Sequence, residues 1–92
     1  MDEKKDVRIV VLQRGWVAVG EFSQATPDEC VLTHACILRR WGTTQGLGEI
    51  AGNGPTANTK LDKVPLPLRF HPMTVVLSMD CDAAKWAPHL GA

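Results

Sequence analysis

The stretch "VRIVVLQRGWVAVGEF" (residues 7–22) decides the fold class. Residues 7–13 are rich in β-branched side chains and almost continuously apolar, the composition of a well-buried strand. Arg14-Gly15 then offers a bend. In residues 16–22 the side chains alternate: Trp16, Ala18, Gly20 and Phe22 fall on one side, Val17, Val19 and Glu21 on the other. That period of two belongs to a strand, and Gly20 inside it predicts a bulge or a close approach of another backbone. Two strands joined by so short a bend form a hairpin.

The pattern continues on the C-terminal side. "SQATPDE" (23–29) is turn chemistry centred on Pro27-Asp28, and "CVLTHACILRRW" (30–41) predicts a strand, a tight corner near Thr33-His34-Ala35 and a further strand. "KLDKVPLPLRF" (60–70) carries prolines at 65 and 67, which suit an extended edge segment and exclude a central strand. "MTVVLSMD" (73–80) predicts a closing strand. Asp82 is placed to cap a short helix, "AAKWAPHL", whose Trp86 and Leu90 can pack back on the sheet. The expected fold is mainly β with a minor α component. It is a small antiparallel β-sheet or barrel-like domain of five or six strands, with helices near 46–52 and 82–89.

Ninety-two residues make a single domain, with residues 1–5 expected as a flexible charged start. A chain of this size buries roughly two-thirds of the surface exposed when unfolded, enough for a modest core. Ten basic side chains balance ten acidic ones. Phosphate neutralisation supplies most nucleic-acid affinity, so this balance argues against a general nucleic-acid binder. Cys30, Cys36 and Cys81 are odd in number and form no C-x-x-C pair, which points to a reducing compartment rather than a disulfide scaffold. No apolar run reaches the roughly 20 residues of a membrane span, and "MDEKKD" lacks the apolar centre of a signal peptide. A cytoplasmic protein with no membrane association is expected.

One segment has a chemical character of its own: "RRWGTTQGLGEIAGNGPTAN" (39–58). Arg39 and Trp41 share one face of a strand and Arg40 takes the other. A guanidinium beside an indole can sandwich a planar ring, and arginine's planar fork matches phosphate or carboxylate. Leu47, Ile50 and Ala51 stand at helical spacing, with Thr44 as a candidate cap and Gly52 or Gly54 as a stop. As a ligand site, the segment would use Arg39 or Arg40 for charge, Trp41 for stacking, and Thr43, Thr44, Asn53 and Thr56 as a polar rim. Its ligand would be a nucleotide-like small molecule, or a host protein. The competing explanation is structural: Trp41 in the core, one arginine paired with Glu49 or Asp80, and glycines that only permit a tight corner.

Three stretches, "RGWVAVGEFSQ", "CVLTHACILRRWGTTQGLGEIAGNGPT" and "VVLSMDCDAAKW", together resemble a family of short uncharacterised proteins of tailed bacteriophages and prophages. The likeness spans roughly residues 14–86. Its most specific part is Arg39-Arg40-Trp41-Gly42 followed by Leu47-Gly48-Glu49-Ile50-Ala51. The resemblance implies a phage protein made in a bacterial host, and carries no catalytic residues with it.

The other chemistries have thinner support. Cys30, His34, Cys36, His71, Cys81 and His89 are zinc-ligand types at spacings that match no standard zinc motif, and buried free cysteines act as small hydrophobes. Cys30, His34 and Asp80 could be assembled into a nucleophilic trio, but no G-x-S-x-G or phosphate loop accompanies them. Asp80 and Asp82 precede a helix, where capping is the simpler role. The expectation is therefore no enzyme, no cofactor and no metal, but a binding protein acting in the host as a counter-defence factor. The alternative is a structural or assembly accessory of the phage particle. Pro65, Leu66, Pro67 and Leu68 form an apolar edge suited to a second subunit, so a homo-oligomer is expected.

Overall fold

A computed structural model describes residues 6–43 and 46–90. Strand β1 (Val7–Leu12) and strand β2 (Val17–Thr26) form the expected hairpin, with Ile9 opposite Val19 and Val11 opposite Val17. The bend is a 3-10 turn over Gln13–Gly15, in which Arg14 (φ 67°) and Gly15 (φ 81°) both take left-handed conformations. A 2.7 Å bond from the Leu12 N–H to the Trp16 carbonyl closes it. Pro27-Asp28 makes the second hairpin, and the Thr26 hydroxyl accepts the Asp28 N–H at 3.2 Å.

Strand β3 (Glu29–Arg40) corrects one expectation: it runs twelve residues without a corner. Val19 pairs with Cys36 and Glu21 with Thr33, so β3 carries one extra residue across from Gly20. His34 absorbs the irregularity at φ 51°. The ladder survives because Gly20 has no side chain; a Cβ there would lie 3.0 Å from the Thr33 carbonyl and 3.1 Å from Ala35 Cα. Thr33–Ala35 is therefore a β-bulge, and the extra residue puts Leu32 and Ala35 on the same face of the sheet.

Two short strands, β4 (Lys60–Lys63) and β5 (Leu68–Phe70), pair with different halves of β3's outer edge. Pro65 and Pro67 fall between them, where their missing N–H groups cost no ladder bond. Strand β6 (Val75–Asp80) starts two residues later than the sequence predicts, because the His71 ring caps a 3-10 turn over Pro72–Thr74 and accepts the Met73 N–H at 3.0 Å. β6 returns to pair with β1. The result is one open, antiparallel, six-stranded sheet of order β4-β3-β2-β1-β6, with β5 also on β3. No helix among the described residues is long and apolar enough to cross a membrane.

Two short helices, α1 (Leu47–Asn53) and α2 (Ala83–Trp86), cover one face. The core there joins Ile9, Val19 and Cys36 of the sheet to Leu47 and Ile50 of α1, and to Trp86 and Leu90. Trp86 is fully buried and its indole N–H donates to the Ile50 carbonyl at 2.8 Å. The same carbonyl accepts the Gly54 N–H at 2.8 Å, where φ turns to 82° and ends α1. Asp82 caps α2 as expected, accepting the Ala84 and Lys85 N–H groups at 3.1 and 3.3 Å. The opposite face buries Val10, Ala18, Leu32 and Ala35, flanked by Phe22, Ile37 and Phe70, with the Arg8 guanidinium 4.1 Å above the Phe22 ring.

Replacing Trp86 by alanine empties the centre of the helix-side core and should lower unfolding free energy by about 3–5 kcal/mol. Phenylalanine restores most of the volume but not the donor. Because Ile50 keeps its bond from Gly54, that loss should stay near ~1 kcal/mol. Urea unfolding of both variants measures the difference.

Candidate functional site

The Arg39-Arg40-Trp41 step ends β3. Cys36 and Leu38 point into the helix-side core, but a β-bulge between Leu38 and Arg40 interrupts the alternation, and Arg39 is placed on the open side by its contact with Asp62, the residue opposite Ile37. Both arginines are exposed. Arg39 Nε sits 3.0 Å from Asp62 Oδ2, with both side chains about half exposed or more. Ile37 is the residue directly opposite Asp62, so this is a diagonal cross-strand pair. A surface pair of this kind contributes roughly 0–1 kcal/mol and leaves the guanidinium available to a ligand. Asp80, a partner considered from the sequence, lies instead beside Arg8 at 3.8 Å. Trp41 is 42% exposed. The tryptophan of the core is Trp86.

The loop behind these residues is held by its threonines. The Thr43 hydroxyl donates to the Gly46 carbonyl at 3.0 Å, and the Thr56 hydroxyl to the Gly42 carbonyl at 3.1 Å. Thr59 donates to the Trp41 carbonyl at 2.6 Å and accepts the Thr56 N–H at 2.9 Å. Segments 41–43 and 54–59 are thereby stitched side by side. Gly42 makes the stitch possible: at φ 65°, a Cβ would come within 2.4 Å of the Asn58 backbone. Thr43 and Thr56 thus spend their donors inside the loop and have only lone pairs to offer outward. Asn53 is exposed at the last position of α1. Thr44 lies outside the described residues, as does its expected capping role. Thr59 was missed from the sequence, where nothing local links it to Trp41.

The structure therefore brings Arg39, Arg40 and Trp41 together with Thr43 and Thr56 at one end of the sheet. Glycine-rich and stitched, the loop carries an exposed indole directly after two exposed arginines, on a backbone that its own hydrogen bonds have set. Two cavities lie elsewhere. An open groove of about 1,030 Å³ runs from His34 and Lys63 past Pro65–Pro67 to Pro88 and Leu90, and an apolar pocket of about 180 Å³ is lined by Trp16, Leu32, Ile37 and Phe70.

The remaining candidates are dispersed. Cys30 and Cys36 are buried, and the Cys36 thiol points to the His89 carbonyl at 3.6 Å. Cys81 is partly buried, and removal from water pushes its thiol up to about 12. His34 Nδ1 lies 2.9 Å from Glu21 Oε2 beside the bulge, while His71 serves as the cap described above. Among the described residues, no three His, Cys, Asp or Glu side chains converge in a metal-holding group. No protein-family model, curated protein or solved structure matches the chain.

Two outcomes follow from this geometry. Gly42→Ala should separate the two stitched segments and lower the melting temperature, while the same change at Gly48, where a Cβ meets nothing within 4 Å, should not. Cys81 should alkylate slowly with iodoacetamide at pH 8 and speed up on denaturation, because the folded thiol holds its proton well above the usual range. The raised value also fixes a sign: stability linked to this thiol is present below pH 9.0 and lost as pH rises toward about 12.

Proposed function

We propose that the chain is a non-catalytic binding protein that uses the Arg39-Arg40-Trp41 step as its recognition surface. The observation that supports this is exposure without a structural debt. Trp41 is 42% exposed although a second tryptophan fills the core, and the arginines reach solvent from the end of the longest strand. Tryptophan and arginine dominate the energetics of recognition surfaces, because each combines large contact area with directional polar groups. The stitched loop supplies pre-organisation, which reduces the ordering cost of binding.

The partner class follows from the chemistry of the step. A fork of N–H donors beside an indole face matches an anionic group attached to a planar ring, as in a nucleotide-derived signal. The same surface would hold an acidic segment of a host protein. In the phage setting implied by the family resemblance, such a protein acts in the host cytoplasm as a counter-defence factor that sequesters its ligand. A structural or assembly role in the particle is the second reading, and the exposed apolar strand β6 favours it.

Native mass spectrometry of protein purified from infected cells should show a retained anionic small molecule or a bound host protein. Loss of one arginine contact, worth about 1.5–3 kcal/mol, should weaken binding some ten- to a hundredfold. Arg39→Ala, Arg40→Ala and Trp41→Ala should each keep the wild-type melting temperature. Asp62→Asn frees Arg39 and should tighten binding if Arg39 is the contact. Unchanged affinity in all the alanine variants would move the site elsewhere, and a stoichiometric place in purified particles would select the assembly role.

A further inference from the structure

On the face of the sheet that the helices cover, the end of β4 and the 3-10 turn Ala87–His89 leave the open groove of about 1,030 Å³ between them. Register puts Lys63 there. It stands opposite Cys36, and Leu61, two residues before it, packs against the helix-side core. The Cys36 thiol points to the His89 carbonyl at 3.6 Å, which brings the turn alongside, and Leu90 is buried in the same core. Val64–Pro67 form one wall, tied to β3 by a 2.9 Å bond from the Val64 N–H to the Ala35 carbonyl. Pro65 and Pro67 stand in this wall and Pro88 in the other, so their rings fix φ along both sides. The groove is therefore shaped before anything enters it.

Its lining is aliphatic with one sign of charge. Leu66, held between two prolines, is 72% exposed. The carboxylates nearest in the fold are already engaged. Glu21 Oε2 lies 2.9 Å from Nδ1 of His34, which lines the groove. Asp62, beside Lys63 in sequence, stands opposite Ile37 on the other face of the sheet and holds Arg39 at 3.0 Å. No carboxylate lines the groove, and among the described residues none pairs with the exposed Lys63. Its ammonium is an uncompensated positive charge at the margin of an apolar channel.

We propose that this groove binds a free aliphatic carboxylate, its hydrocarbon chain along Leu66 and the proline walls and its carboxylate on the Lys63 ammonium. Charge complementarity selects the head group. Lysine is a compact point charge on a flexible stem, suited to a single carboxylate rather than to the forked contacts that arginine makes. The lining selects the tail: it holds leucine, valine, alanine and proline but no Trp or Phe, so it gives a hydrocarbon chain contact area without a broad stacking face for a planar ring. A second copy of the chain fits less well. A two-fold contact needs a self-complementary patch, and this one holds a cation with no anion to meet it. The groove shares no lining residue with the Arg39–Trp41 step, and its assignment does not rest on that proposed site.

Titrating the isotope-labelled full chain with decanoate, below its micelle concentration, should shift the amide signals of Lys63, Val64, Leu66, Ala87 and Leu90. Each methylene removed from the probe should weaken binding about threefold, because an open groove buries somewhat less than the whole group. Lys63→Ala should weaken decanoate binding about fivefold, the scale of an exposed ion pair. Decylammonium should bind the wild type less tightly than decanoate, and Lys63→Glu should reverse that order. Leu66→Ser should weaken both probes alike at an unchanged melting temperature, since the side chain it replaces is exposed. A wild type whose signals do not move with decanoate overturns the proposal. So do shifts confined to the Trp16–Phe70 pocket or to Trp41, equal affinity for the two probes, or a preference for decanoate that survives Lys63→Glu.

Discussion

Everything in this fold is conditional on the contact between Gly20 and the bulged backbone at His34. Strand β3 is long enough to support two separate edge strands because its ladder with β2 is not interrupted there. The extra residue changes which side chains look up and which look down: Leu32 and Ala35 share a face although their spacing is odd. Without that offset, Ala35 and Ile37 would stand against the helices, and Cys36 and Leu38 would face away from them. The helix-side core would then have no floor. The left-handed conformation of a histidine, unfavourable for a non-glycine residue by order ~1 kcal/mol, persists because the pairs on both sides of it are already fixed.

Much of the architecture was legible because it depends on local patterns. Alternation in residues 16–22 identified the two faces of β2, and Gly20 was readable as a point of close approach. Asp82 announced its helix, and Trp86 and Leu90 its buried side. The continuous β3 was harder to foresee. Thr33-His34-Ala35 has neither glycine nor proline, and the residue that permits the bulge belongs to the neighbouring strand. The split of residues 60–70 into two strands has the same origin, since it follows where β3 bends.

The candidate site was legible in composition and opaque in partnership. Arg39, Arg40 and Trp41 stood out by type, yet nothing in the sequence decided whether Trp41 is exposed or buried. In the fold Trp41 is 42% exposed, whereas Trp86 is buried with its indole N–H on the Ile50 carbonyl. Asp62 meets Arg39 through a cross-strand register, and Thr59 meets the Trp41 carbonyl across eighteen positions of chain. Neither relation has a local cue. Thr43 and Thr56, chosen as hydrogen-bonding groups, do form hydrogen bonds, but their donors serve the loop.

The bond from the Trp86 indole to the Ile50 carbonyl spans 36 positions of sequence, and this has a kinetic meaning. Helix α1 has seven residues, two internal glycines and no side-chain cap at Gly46, so it is too short and too poorly nucleated to persist alone. It gains its lid only after β6 has crossed to β1 and delivered α2. The hairpins of β1, β2 and β3 close over short stretches of chain and can form early, whereas the helical layer must wait for the longest loop to close. By the same logic the layer opens as one piece. Asp82, Trp86 and Lys85 all bear on residues 50–54, so loosening either helix releases the other, and amide exchange in both should share one rate.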